Sequence, residues 1–138
     1  MDKARTGGCL CGAIRYRIVA APVEALYCHC RMCQRVHGAP VVAWLAVPSA
    51  GFEVTAGEAA AYRSSAKALR QFCATCGTPL TWRAIDNPRL VDVSIATLDE
   101  PAAVAPGLHL WTQDQLAWLK LADPLPRYPT NRRPTPAP

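Results

Sequence analysis

Ile14, Tyr16 and Ile18 alternate with Arg15, Arg17 and Val19, the period-two pattern of a strand with one face covered. Residues 24–28 give a second candidate, which runs into a group of cysteines. The run VVAWLAV at 41–47 is β-branched and continuous and is bracketed by Pro40 and Pro48, so it fits a strand covered on both faces. Shorter candidates at 52–55, 60–63, 69–72, 80–83 and 90–96 are separated by Gly57, Gly77 and Pro88. This spacing predicts a mainly β domain of short antiparallel sheets. One short C-terminal helix is expected after Thr112, which is placed to cap it, with Asp114 in the first turn and Leu116 and Leu119 three apart. Beyond Asp123 the chain places six of its thirteen prolines, with Arg127, Arg132 and Arg133 between them. The expected organisation is one domain over 1–126 and an extended Pro/Arg-rich tail over 127–138.

Composition changes this picture little. The 138 residues are 51% hydrophobic and 18% charged, which supplies a core for one domain and is unlike a disordered chain. No stretch approaches the ~20 apolar residues of a membrane helix. The best run, 39–47, contains Pro40. Residues 1–8 carry charges of both signs and no apolar segment of the secretory type, so the expected location is the cytoplasm. The formal charge of +5 invites a nucleic-acid reading, but it counts every cysteine as neutral. Seven thiolates holding two Zn²⁺ subtract three from that +5 and leave about +2.

The seven cysteines are what alter the picture. They are odd in number, so they cannot all pair within the chain, and a metal is the natural alternative in a reducing compartment. They fall into three groups: Cys9-Leu10-Cys11, Cys28-His29-Cys30-Arg31-Met32-Cys33, and Cys73-Ala74-Thr75-Cys76. Residues two apart in an extended segment share a face, so Cys9 and Cys11 can approach one ion together. Cys73 and Cys76, followed by Gly77, have the form of a zinc knuckle. A lone C-x-x-C also occurs as a redox pair, which requires a helix after a βαβ strand; Thr78-Pro79-Leu80 reads instead as a turn into a strand. A structural zinc closes its shell with four ligands, whereas a catalytic one keeps a position free. Seven divides as four from the outer pairs and three from the middle group. The other partition, a four-thiolate site from the first group and part of the second, leaves thiols without a use. His29 points away from Cys28 and Cys30 if that segment is extended, and reads as a polar neighbour rather than a ligand.

Gly8-Cys9-Leu10-Cys11-Gly12 with Arg15-Tyr16, CHCRMCQ at 28–34, and Phe72-Cys73 to Cys76-Gly77 resemble the glutathione-dependent formaldehyde-activating family, whose domain centromere protein V shares. The resemblance continues through Gly38-Ala39, His109 and residues 118–126. It implies a β-rich, tent-like zinc fold in which Cys9, Cys11, Cys73 and Cys76 hold a structural zinc, and Cys28, Cys30 and Cys33 hold a catalytic zinc. The fourth position of the second ion would take water or a substrate thiol. The chain departs from the pattern in the segment Asp123-Pro124-Leu125-Pro126, which has Pro where the family commonly carries Gly.

The activity so implied is of carbon–sulfur lyase type, on a thiol–aldehyde adduct such as S-hydroxymethylglutathione. Arg31, Gln34 and Arg35 flank the open-site ligands and are candidates to meet a substrate carboxylate. The bland alternative for them is a solvated loop. His37 and His109 are candidates for a general base, yet a solitary histidine is more often a packing residue, and neither is assigned. Trp44, Trp82, Trp111 and Trp118 are expected in the core. A rival function is a non-enzymatic zinc module that binds protein or nucleic acid through the Arg-containing tail.

Overall fold

The computed structural model describes residues 3–131. Ten strands and one α-helix are present among them: β1 (Arg5–Gly8), β2 (Arg15–Ile18), β3 (Glu24–Cys28), α1 (Arg31–His37), β4 (Val42–Pro48), β5 (Phe52–Ala56), β6 (Ala60–Ser65), β7 (Ala68–Phe72), β8 (Pro79–Ala84), β9 (Leu90–Ser94) and β10 (His109–Leu110). They form a three-stranded sheet in the order β1-β2-β5 and a seven-stranded sheet in the order β10-β3-β4-β9-β8-β7-β6. All pairings are antiparallel except β10 with β3.

β4 shows why the larger sheet has two covered faces. Its residues alternate between faces. Leu45 and Val47 join Ile14, Tyr16, Ile18, Val91 and Val93 in a core that unites the two sheets. Val42 and Trp44 join Leu26, Cys28, Cys33 and Leu110 in a second core on the other side. Each such side chain contributes about 1.5–3 kcal/mol by leaving water. Both faces are apolar, which is why this strand reads as a continuous hydrophobic run. Each core also takes in one set of cysteines: Cys9, Cys73 and Cys76 in the first, Cys28, Cys30 and Cys33 in the second.

The α-helix is not where periodicity placed it. Thr112–Asp114 is a single 3-10 turn, because the Thr112 hydroxyl donates to the Tyr128 carbonyl at 3.1 Å instead of capping a helix. The helix present is Arg31–His37, whose pattern is inverted: Met32 and Val36 are exposed, while Cys33 and Gln34 are buried. Its N-cap is Cys30, whose sulfur accepts from the Cys33 amide at 3.3 Å, so a cysteine does the work usually done by serine or aspartate.

Residues 126–130 run beside β10. The Tyr128 amide donates to the His109 carbonyl at 2.9 Å, and the Trp111 amide to the Thr130 carbonyl at 3.0 Å. The boundary expected at 126/127 therefore falls within a paired stretch, and residues 132–138 of the expected tail lie outside the described residues. Trp118 is 69% exposed and does not belong to the core, whereas Trp44, Trp82 and Trp111 pack in it. Among the described residues no helix is long and apolar enough to cross a membrane.

Candidate metal centre

The first cluster joins two loops that are distant in sequence. Cys9 and Cys11 lie between β1 and β2, and Cys73 and Cys76 between β7 and β8. All four sulfurs lie within 4.8 Å of one another. Cys11 Sγ is 3.6 Å from Cys9 Sγ and 3.8 Å from Cys73 Sγ. Amide hydrogens point at the sulfurs: Ile14 N–H donates to Cys9 and Cys76 N–H to Cys73, at 3.2 and 3.4 Å. Gly77, with φ of 81°, supplies the left-handed turn that brings its own amide back to the Cys73 carbonyl at 2.8 Å. Thr78 clasps the two loops, since its oxygen accepts from Leu10 N–H at 3.1 Å and lies 3.2 Å from Cys76 Sγ. The Thr78 side chain, followed by backbone amides, holds the Cys76 thiol down to about 5.

The second cluster sits where β3 ends and α1 begins. Cys28 is the last residue of the strand, Cys30 the cap and Cys33 in the first turn of the helix, and their sulfurs again lie within 4.8 Å. Cys28 and Cys33 are buried and Cys30 is half-buried. Sulfurs this close cannot all ionise alone: hydrogen bonds from Cys28 and Cys30 hold Cys33 near 2, while those with Cys30 and Cys33 drive Cys28 far above the ordinary thiol range. A soft dication resolves that conflict by accepting all three as thiolates, and the donor sets of both clusters fit zinc. All seven cysteines are free thiols here.

The corner that carries this cluster is held by groups to which sequence reasoning assigned a different role or none. His29 and His109 are fully buried, with His29 Nε2 2.8 Å from His109 Nδ1. Nε2 of His109 donates to the Asp123 carboxylate at 3.0 Å, which leaves its Nδ1 as the acceptor for His29 Nε2–H. Burial, then the neighbouring His109, lowers His29 to about 4, so it stays neutral. His29 thus points away from the sulfurs, as expected of its extended neighbours. Gln34 is buried and donates to the His29 carbonyl at 2.8 Å and the Asp114 carbonyl at 3.3 Å, while its own oxygen accepts from Arg31 at 2.5 Å. Both ends of Gln34 are therefore occupied within the chain. Arg31 and Arg35 are exposed on α1.

Arg70 is the residue most thoroughly missed. It is 4% exposed, and its Nη2 donates to Cys33 Sγ at 3.5 Å. The signal was present: Arg70 falls two residues from Ala68 and from Phe72, at an inward position of a strand. His37 is half-buried and packs edge-on against Trp44, with ring centres 5.1 Å apart. Two open grooves of about 410 Å³ elsewhere on the surface include none of the seven cysteines.

The family model of the glutathione-dependent formaldehyde-activating enzyme matches residues 4–114, a span that takes in both clusters. A crystal structure of a Rhodobacter sphaeroides protein is similar in fold, with a TM-score of 0.59 and 25% identity over 73% of this chain and 91% of that one.

Proposed function

The chain belongs to the glutathione-dependent formaldehyde-activating enzyme family, and from that premise we propose that it is a zinc-dependent enzyme of carbon–sulfur lyase type, acting on a thiol–aldehyde adduct such as S-hydroxymethylglutathione. The observation that carries the reading is a three-sulfur cluster set apart from a four-sulfur one, on the opposite face of the larger sheet. Cys9, Cys11, Cys73 and Cys76 are assigned to a closed structural zinc. Cys28, Cys30 and Cys33 are assigned to a zinc with one position open to a ligand.

Zinc bound at the smaller cluster supplies a Lewis-acidic position that lowers the pKa of a substrate thiol and holds it as thiolate. The chain's own residues do the rest. The Cys30 cap and the Gln34 bonds fix the distance between strand end and helix, so the three sulfurs keep their spacing as substrate comes and goes. The His29–His109–Asp123 chain pins the same corner from beneath. Arg31 and Arg35, exposed on the helix that carries Cys33, are assigned to the carboxylates of a peptide thiol. Gln34 serves by position, since neither end of its amide is free. Three thiolates on a dication leave a net charge of −1, which weakens its acidity relative to a three-imidazole site, and turnover is expected to be modest. Seven free thiols suit a reducing compartment, and we place the protein in the cytoplasm.

The test is direct. Purified zinc-loaded protein is mixed with glutathione and formaldehyde, and the S-hydroxymethyl signal is followed by proton NMR. Adduct formation should exceed the protein-free rate, and a rate equal to the control refutes the activity.

A further inference from the structure

Arg70 lies in a row of cross-strand partners, Tyr62–Arg70–Trp82–Asp92–Ala46, on the face of the sheet that also carries Cys28. Its guanidinium is buried, yet among the described residues no carboxylate comes within ion-pair distance of it. A buried cation without a counter-charge costs several kcal/mol. The group it meets is Cys33 Sγ, and a thiolate centre at the three sulfurs would be its counter-charge. Nε donates to Ser64 Oγ at 3.2 Å, which leaves Nη1 buried with no acceptor. Nε2 of His37, in the last turn of the helix that carries Cys33, is also buried without a partner. Burial pushes the His37 pKa down, while Cys33 acts to raise it and Arg70 to lower it. Unpaired buried donors are rare because each costs about 1–3 kcal/mol. One such N–H on Arg70, whose Nη2 already meets Cys33 Sγ, and an unpartnered ring nitrogen on the helix that carries Cys33, point to a missing acceptor at this centre.

We propose that Arg70 Nη1 and His37 Nε2–H form the oxygen-binding corner of the open centre and hold the oxygen of the thiol–aldehyde adduct. The proposal rests on the reading of the smaller cluster as the substrate site. In addition, a sulfur lone pair forms the carbon–sulfur bond as the carbonyl π pair moves onto oxygen. That oxygen carries the new negative charge and is held by the two N–H groups until it takes a proton from water. In cleavage the hydroxyl gives its proton to water, the carbonyl reforms and the bond pair returns to sulfur. The charge develops on oxygen, where a fixed guanidinium N–H and an imidazole N–H stabilise it.

The test uses the full chain with cobalt(II) in place of zinc, and two thiols of equal length: 2-mercaptoethanol, which carries a hydroxyl, and 1-propanethiol, which does not. Dissociation constants are read from the sulfur-to-cobalt absorption. The wild type should bind the hydroxythiol about tenfold tighter, the worth of one charge-assisted hydrogen bond. Arg70→Lys and His37→Phe should each reduce that preference severalfold while cobalt content stays at the wild-type value. The second variant keeps the ring against Trp44, so it decides the matter alone if the first does not fold. Adduct formation from glutathione and formaldehyde should fall about a hundredfold in either. No preference in the wild type, or one retained in His37→Phe, overturns the proposal. If the wild type shows the preference but does not accelerate adduct formation, the oxygen-binding corner stands and the lyase activity is lost.

Discussion

Replacing Cys76 by serine should destabilise the protein more than replacing Cys30 by serine, although both thiols are half-buried and both lie three residues from another ligand. The difference comes from what each metal ties together. A metal on the first cluster closes the 62-residue loop between Cys11 and Cys73. Treated as a cross-link on the unfolded chain, that closure is worth about 4 kcal/mol. The second cluster is local, and closing the three-residue step from Cys30 to Cys33 gives less than about 2 kcal/mol by the same relation. Serine at 30 also keeps an oxygen to cap α1. Against a total stability on the order of 5–15 kcal/mol, a gap of about 2 kcal/mol is easily measured. The assay is urea unfolding followed by tryptophan fluorescence, with zinc per chain determined by plasma mass spectrometry. Cys30→Ser should retain one zinc and most of its stability, while Cys76→Ser should lose at least about 2 kcal/mol more. Equal losses, or a larger loss in Cys30→Ser at the same metal content, would falsify the assignment of the structural role to the larger cluster.

Tyr16→Phe removes a buried hydroxyl that lies 2.7 Å from Thr97 Oγ1 and should cost about 1 kcal/mol at pH 7. Burial raises the Tyr16 pKa to about 12. The wild type should therefore lose up to about 3 kcal/mol between pH 10 and 12, where only the unfolded chain ionises, and the variant should overtake it there; parallel profiles in denaturant titrations would contradict this. Gly7→Ala would place a Cβ 2.3 Å from Tyr16 Oη and 2.5 Å from the Thr97 carbonyl, and should cost about 1–3 kcal/mol by thermal melt. An unchanged melting temperature would mean that β1 moves freely. Gln34→Leu fills the same space but strands the carbonyls of His29 and Asp114. It should lower stability by about 1–3 kcal/mol and shed zinc from the smaller cluster first; full retention of two zincs would remove Gln34 from the support of that corner.

The strands were legible because their periodicity is simple. Every candidate from residue 15 to 94 became a strand, within two residues of its expected ends, since alternating or doubly buried runs leave a chain few alternatives. β1 was missed because Arg5-Thr6-Gly7-Gly8 has no apolar pattern; it pairs with β2 through its backbone and lets Tyr16 approach Gly7. β10 was missed because two residues cannot show a period. Helix α1 was hidden by its reversed pattern, with Gln34 inside and Met32 outside, which serves the sulfur cluster rather than the core.

The spacing of seven cysteines was enough to divide them four and three, because chelation by C-x-C and C-x-x-C is a local property of the chain. Donor sets that fit zinc, and the family, followed from residues that are near neighbours in sequence. The tertiary structure alone brought Arg70, 37 residues beyond Cys33, to that sulfur, and His109, 80 residues beyond His29, to that ring. Strand register and the two faces of one sheet decide such meetings, and no local pattern of residues encodes which distant side chains a register will join.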